Sequence, residues 1–120
     1  MNPETLARTC AELAAEKKAE EIIVLDLRDI STFTDFFVIC SGNSEPQLKA
    51  IAVEIETRLK QEHGIRAAAV DGFPTSQWIV LDYLQVIVHV LHRDKRAFYS
   101  LEDLWGDALR LDWESNANAA

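Results

Sequence analysis

Basic residues are scarce in this chain: 12 lysines and arginines stand against 20 aspartates and glutamates, a formal net charge of −8. Direct binding of a phosphate backbone needs a basic surface, so this balance argues against nucleic acid as the main direct ligand. Cysteine is scarce as well. Cys10 and Cys40 are the two present, without metal-type spacing and in apolar settings, which reads as a pair of reduced, buried thiols. No apolar run is long enough to span a bilayer, and the N-terminus lacks a signal-peptide pattern. The expected location is cytoplasmic, or an organelle matrix had a targeting segment been removed. No membrane association is expected. What the charge favours is a basic protein partner, whose encounter an acidic domain speeds. Solubility alone is the plainer account of the same charge.

What is present is a well-patterned α/β chain. Its 120 residues suit one domain over 1–113, large enough to bury a core without staples. The small, polar stretch 114–120 reads as a disordered tail. Asn2-Pro3-Glu4 is a helix start, with Asn2 as N-cap and Pro3 at the first helical position. Leu6, Cys10, Leu13 and Ala14 form the apolar stripe of a helix expected to reach about Ala19. Ile22 to Leu27 and Phe36 to Cys40 read as two buried strands, joined by a polar connection rich in turn formers. Ser44 is placed as the N-cap of a second helix, with Gln47 completing a capping box and Gly64 as the stop. Ile65 to Val70 reads as a third strand, parallel to the second through a right-handed βαβ crossover. Trp78 to Leu81 and Val86 to Leu91 are then an antiparallel hairpin across the short break at Asp82-Tyr83-Leu84-Gln85. The expected fold is therefore α/β: a mixed sheet of about five strands with helices packed on it.

Signals for catalysis are weak. Ser41-Gly42 leads into a helix N-terminus that could cradle a phosphate, yet it lacks a P-loop lysine and the spaced glycines of a dinucleotide fingerprint. Metal-assisted nucleotidyl transfer would need carboxylates gathered on adjacent strands. Asp26 and Asp82 sit at strand ends, but no Asp-x-Asp pair occurs there. His89 alternates with Ile87 and Leu91 and reads as a core or rim histidine, His63 as a helix C-terminal residue, and His92 as the more exposed of the three. No nucleophile has a legible base partner.

The string Phe33-Thr34-Asp35-Phe36-Phe37-Val38-Ile39-Cys40-Ser41-Gly42 resembles the signature of the ribosomal silencing factor family, also called Iojap or RsfS and YbeB-like. The likeness runs on through Asp71-Gly72, Trp78 to Tyr83, Val86 to Val90, and Arg96-Ala97-Phe98-Tyr99-Ser100-Leu101-Glu102-Asp103-Leu104-Trp105. The family commonly has Gly-Asp where this hairpin turn reads Tyr83-Leu84-Gln85. The resemblance implies a nucleotidyltransferase-like fold that has lost its catalytic carboxylates, no enzymatic activity and no cofactor. It further implies binding to the large ribosomal subunit through a basic interface protein, the one numbered fourteen. Such binding blocks joining of the small subunit and represses translation when nutrients are scarce. Organelle relatives act in ribosome biogenesis, and members are often a dimer when free. Two other readings stay open: a nucleotide-binding or nucleotidyltransferase-like enzyme, and a large-subunit assembly factor.

Interface affinity concentrates in a few aromatic and arginine anchors. Trp78, Tyr99 and Arg96 are the expected anchors, with Leu91 and His92 beside them. Asp71, Asp82 and Glu102 are expected to meet basic groups and to set orientation and on-rate. Against this, Trp78 and Trp105 could be core, and Arg96 could pair within the chain with Glu102 or Asp103.

Overall fold

The structure, a computed structural model, describes residues 1–72, 77–99, 106 and 108–114, with residues 97–99 described by their backbone alone. Helix α1 spans Pro3–Glu16 and starts as its sequence dictates: Asn2 Oδ1 accepts from the Thr5 N–H at 2.7 Å. It stops short of Ala19 because Lys18 turns to φ 62° and the Ala19 N–H returns to the Ala14 carbonyl. Strand β1 (Glu20–Asp26) leads by a loop to β2 (Phe36–Gly42), and α2 (Glu45–His63) follows. At the α2 start the Ser44 hydroxyl accepts from the Gln47 N–H at 3.2 Å. The Gln47 side chain does not close the expected box on Ser44. Its Oε1 accepts from the Asn43 N–H, and its amide donates to the carbonyls of Lys17 and Lys18, tying the α1 exit to the α2 entry. Gly64 takes φ +67° and ends α2 in the left-handed cap its sequence calls for.

Short β3 (Ala69–Asp71), β4 (Trp78–Asp82), β5 (Val86–His92), α3 (Arg93–Tyr99) and β6 (Leu109–Leu111) complete the described chain. One six-stranded sheet results, in the order β3-β4-β5-β2-β1-β6. Among the described residues only β2 and β5 are parallel neighbours, in register from Phe36–Val86 to Gly42–His92. This corrects the expected βαβ neighbourhood. β3 does run in the direction of β2, but the β4–β5 hairpin inserts between them and leaves β3 at the sheet edge. The physical reason lies in burial. Ala69, Val70 and Asp71 are all exposed and suit an edge, whereas β5 is apolar enough to lie beside the fully buried β2. The sixth strand was not expected. β6 adds to β1, and Trp113 Nε1 donates to the Ile22 carbonyl at 3.1 Å beside it.

The two faces of the sheet differ. One lies under α1 and α2, where Leu6, Cys10, Leu13, Ile51, Ile55 and Leu59 meet Val24, Phe36, Val38, Leu81, Val88 and Val90. The other carries a smaller buried cluster of Leu25, Leu27, Phe37, Ile39 and Leu91, with Ile23, Trp78 and Ile87 partly exposed around it.

The turn at Tyr83-Leu84-Gln85 has a feature its sequence did not disclose. The Gln85 N–H bonds to the Tyr83 carbonyl at 2.9 Å, and Leu84 between them has φ 71°. This is the rare, strained form of the γ-turn, occupied by a leucine that is 64% exposed. Replacing Leu84 with Gly relieves the left-handed strain and removes the exposed apolar group, while adding unfolded-state entropy. Leu84→Gly is expected to raise the free energy of unfolding by about 0.5–1 kcal/mol, read from urea titrations.

Candidate functional site

Strand β4 builds the candidate surface by simple alternation. Ile79 and Leu81 point to the helices and are buried, while Trp78, Val80 and Asp82 point the other way and are half-exposed. Asp71 pairs with Val80 across β3 and β4 and so shares this outer face, exposed. An indole and a valine thus sit on one face with two carboxylates. Gly72 makes the geometry possible: at φ +84°, a Cβ there would lie 2.1 Å from the Trp78 carbonyl oxygen. Only a glycine lets the β3 exit pass this close to the start of β4.

Beneath Trp78 lies His89. The two are diagonal neighbours, since Trp78 pairs with Leu91 and Val80 with His89. Trp78 Nε1 donates to His89 Nδ1 at 3.2 Å, and the Phe37 ring meets the imidazole edge-on at 4.6 Å between centroids. Nδ1 therefore acts as an acceptor, which puts the proton of the neutral ring on Nε2. That atom is buried and finds no acceptor among the described residues. Burial disfavours the charged form and pushes the His89 pKa down from 6.5 to about 4. The unfolded chain therefore takes up a proton that the folded chain refuses, and the stability this histidine leaves intact at neutral pH is lost as pH falls from 6.5 toward 4. Urea unfolding should show a loss of about 1 kcal/mol on going from about pH 7 to about pH 5.5, and His89→Leu should remove that portion of the slope.

The other expected site residues divide. Asp82 stands at the β4 end with Oδ1 accepting from the Leu84 N–H at 2.7 Å, so part of its carboxylate is engaged in the turn. His92 is half-buried, and its Nδ1 accepts from the Asp94 N–H at 3.1 Å, capping α3. Two expected contacts are corrected by burial. Leu91 has no exposed surface, because it lies opposite Trp78 at the centre of the smaller apolar cluster. Arg96 is 3% exposed and turns inward: one terminal nitrogen donates to Ser41 Oγ at 2.9 Å and to the Glu21 carbonyl, and Nε lies 3.9 Å from the Glu21 carboxylate. Tyr99 contributes its backbone to α3, while its side chain, with Glu102, Asp103 and Trp105, lies outside the described residues, as do residues 115–120 of the expected tail. Sequence reading missed Val80 as part of the surface and His89 as the partner of Trp78. The alternation Trp78-x-Val80-x-Asp82 was the signal that could have found the first.

The two strand-end carboxylates considered for metal-assisted chemistry, Asp26 and Asp82, do not come together. Asp26 pairs with Phe36 and so lies on the helix-covered face, where Arg28 binds it bidentately at 3.0 and 2.6 Å. That hydrogen-bonded guanidinium holds the Asp26 carboxyl below its ordinary range. Asp82 is on the opposite face, with β5 and β2 between its strand and β1. Neither cysteine offers a thiolate. Both are fully buried and free, and burial pushes the Cys40 thiol up to about 12 and the Cys10 thiol higher still.

Fold and face together define a mixed-sheet α/β protein with helices closing one side and an acidic-rimmed tryptophan on the other. No described helix is long and apolar enough to cross a membrane. Residues 1–120 match the family described as ribosomal silencing factor during starvation. A ribosomal silencing factor RsfS of Bacillus subtilis is 41% identical over 118 residues, 98% of this chain and 99% of its own length. That of Halalkalibacterium halodurans is 41% identical over 114 residues, 95% and 97% of the two chains. Among solved structures, a Chromobacterium violaceum protein superposes with a TM-score of 0.83 at 28% identity over 88% of each chain. A Bacillus halodurans protein does so with a TM-score of 0.76 at 40% identity over 92% of this chain and 99% of its own. The chain belongs to the ribosomal silencing factor family.

Proposed function

We propose that this protein represses translation by docking on the large ribosomal subunit and occupying the space the small subunit needs to join. The contact is a basic large-subunit protein, the one numbered fourteen, met by the outer face of β3 and β4. One observation carries the reading: half-exposed Trp78 and Val80 share a sheet face with Asp71 and Asp82. An aromatic group on a rigid strand suits a desolvated interface centre, and carboxylates beside it suit a basic rim. The mechanism is steric and needs no reacting group. The opposite sheet faces of Asp26 and Asp82 speak against the nucleotidyl-transfer reading.

The test is sedimentation of the purified protein with isolated large subunits, followed by addition of small subunits. Co-migration with the large subunit and a fall in the joined fraction are expected. A protein that stays at the top of the gradient would end the proposal. With a net charge of −8, association should also slow by about tenfold as salt rises from about 0.05 M to about 0.5 M, because screening removes the attraction to a basic partner. Stopped-flow mixing with the large-subunit protein measures this, and an unchanged on-rate would remove the steering role of Asp71 and Asp82.

A further inference from the structure

We propose that His89 is a positioning residue, which holds the Trp78 indole in the single orientation that a partner meets. The inference deepens the docking role just proposed and rests on it. It comes from a mismatch between His89 and its surroundings. The outer face of the sheet centre is apolar, built from Leu25, Phe37, Ile39 and Leu91. Into it β5 places an imidazole that is 9% exposed. One nitrogen accepts the Trp78 N–H at 3.2 Å, and the other is buried without a hydrogen bond among the described residues. A leucine at this position would bury more cheaply, since it has no polar atom to desolvate. What the imidazole supplies, and a leucine cannot, is one acceptor aimed at the indole edge.

The surroundings make that acceptor rigid. The Phe37 ring stands edge-on against His89 at 4.6 Å, and Val80 faces it across the β4–β5 ladder. The indole and imidazole centroids are 6.0 Å apart, tilted by 56°. A half-exposed tryptophan on a strand has several staggered rotamers open to it. A hydrogen bond from its own Nε1 to a fixed buried nitrogen selects one of them before any partner arrives. Ordering that side chain then costs nothing at the moment of binding, which is how preorganisation raises affinity.

The test uses His89→Leu, His89→Asn and Trp78→Ala in the full chain, with purified large subunits as the probe. Asparagine places Oδ1 near the position of Nδ1 and keeps the acceptor. The Trp78 indole N–H signal, assigned by its loss in Trp78→Ala, is expected to shift upfield and broaden in His89→Leu and to return in His89→Asn. Affinity is expected to fall by about fivefold in His89→Leu, the cost of freezing one large side chain on binding. His89→Asn should recover most of it, and the melting temperature of His89→Leu should not fall. If His89→Leu binds as the unmodified protein does while Trp78→Ala does not, the positioning role is overturned and the docking face stands. If Trp78→Ala also binds normally, both fall. A loss in His89→Leu that follows a lower melting temperature and is not rescued by asparagine would mean a role in folding only, and would overturn the inference as well.

Discussion

Trp78→Ala is expected to weaken binding to the large ribosomal subunit by at least about 2 kcal/mol, roughly thirtyfold in affinity. The size follows from where the residue stands. Trp78 opens β4, a strand paired on both sides, with β3 and with β5. Its ring is half-exposed and held from below by His89. A rigid, amphipathic ring offered from a sheet gives large contact area at little entropic cost, the usual profile of an interface anchor. Its companions should matter less. Asp71 is exposed and Asp82 is partly engaged with the Leu84 N–H. Asp71→Asn is therefore expected to act on the association rate and its salt dependence more than on dissociation. Equilibrium binding by sedimentation decides the main point, with a melting curve of each variant alongside. Trp78→Ala that melts cooperatively and binds with unchanged affinity would show that the outer face of β4 is not the docking surface.

The legible and illegible parts of this fold separate on physical lines. Local chemistry could be read directly. Asn2, Ser44 and Gly64 cap the helices as their side chains and backbone freedom require, and the apolar stripes of both long helices are buried. The β4–β5 hairpin stands where a short polar break joins two β-branched runs. Strand order could not be read, because it is decided by competition among strands for the centre of the sheet. Ile65 to Val70 looks apolar enough for an inner strand. Only Ala69–Asp71 pairs, at the edge, once β5 has taken the place beside β2. The candidate site shows the same division. Trp78, Asp82 and Asp71 were expected from residue type and position, and the structure places them on one face. Arg96 was expected at the surface as an arginine anchor, and Leu91 as a neighbour of the anchors. Their burial depends on what packs against them, namely Trp78 and the Leu25, Leu27, Phe37 and Ile39 cluster at Leu91, and the β1–β2 pair around Arg96. Sequence neighbourhood carries no information about either.

Arg96 provides the larger stability effect. Its guanidinium reaches from α3 to the Ser41 hydroxyl of β2 and to the Glu21 carbonyl at the start of β1, and the side chain is 3% exposed. Those two acceptors lie 55 and 75 residues before it in the chain, so this one side chain pins the helix after β5 to strands laid down much earlier. Glu21 is itself at φ 48°, in the irregular opening of β1 where the register with β2 shifts between Glu20 and Ile23. Its carbonyl is turned toward Arg96 there. Truncation to alanine leaves a void and strips a charged donor from two acceptors at once, each loss costing about 1–3 kcal/mol. Arg96→Ala is therefore expected to lower the free energy of unfolding by about 3 kcal/mol, measured by urea titration. Arg96→Met refills most of the space without the donors and should recover only the packing part, about 1 kcal/mol. Lysine is not an equivalent substitute, because burying a compact, strongly hydrated ammonium costs more than burying the delocalised guanidinium that places one nitrogen between Ser41 and Glu21. The experiment also separates the two roles considered for this residue. If Arg96→Ala unfolds at the same urea concentration as the unmodified protein and yet loses the large subunit, Arg96 is a partner contact after all. A lowered midpoint, with affinity per folded molecule unchanged, fixes it as the strut that joins α3 to the sheet.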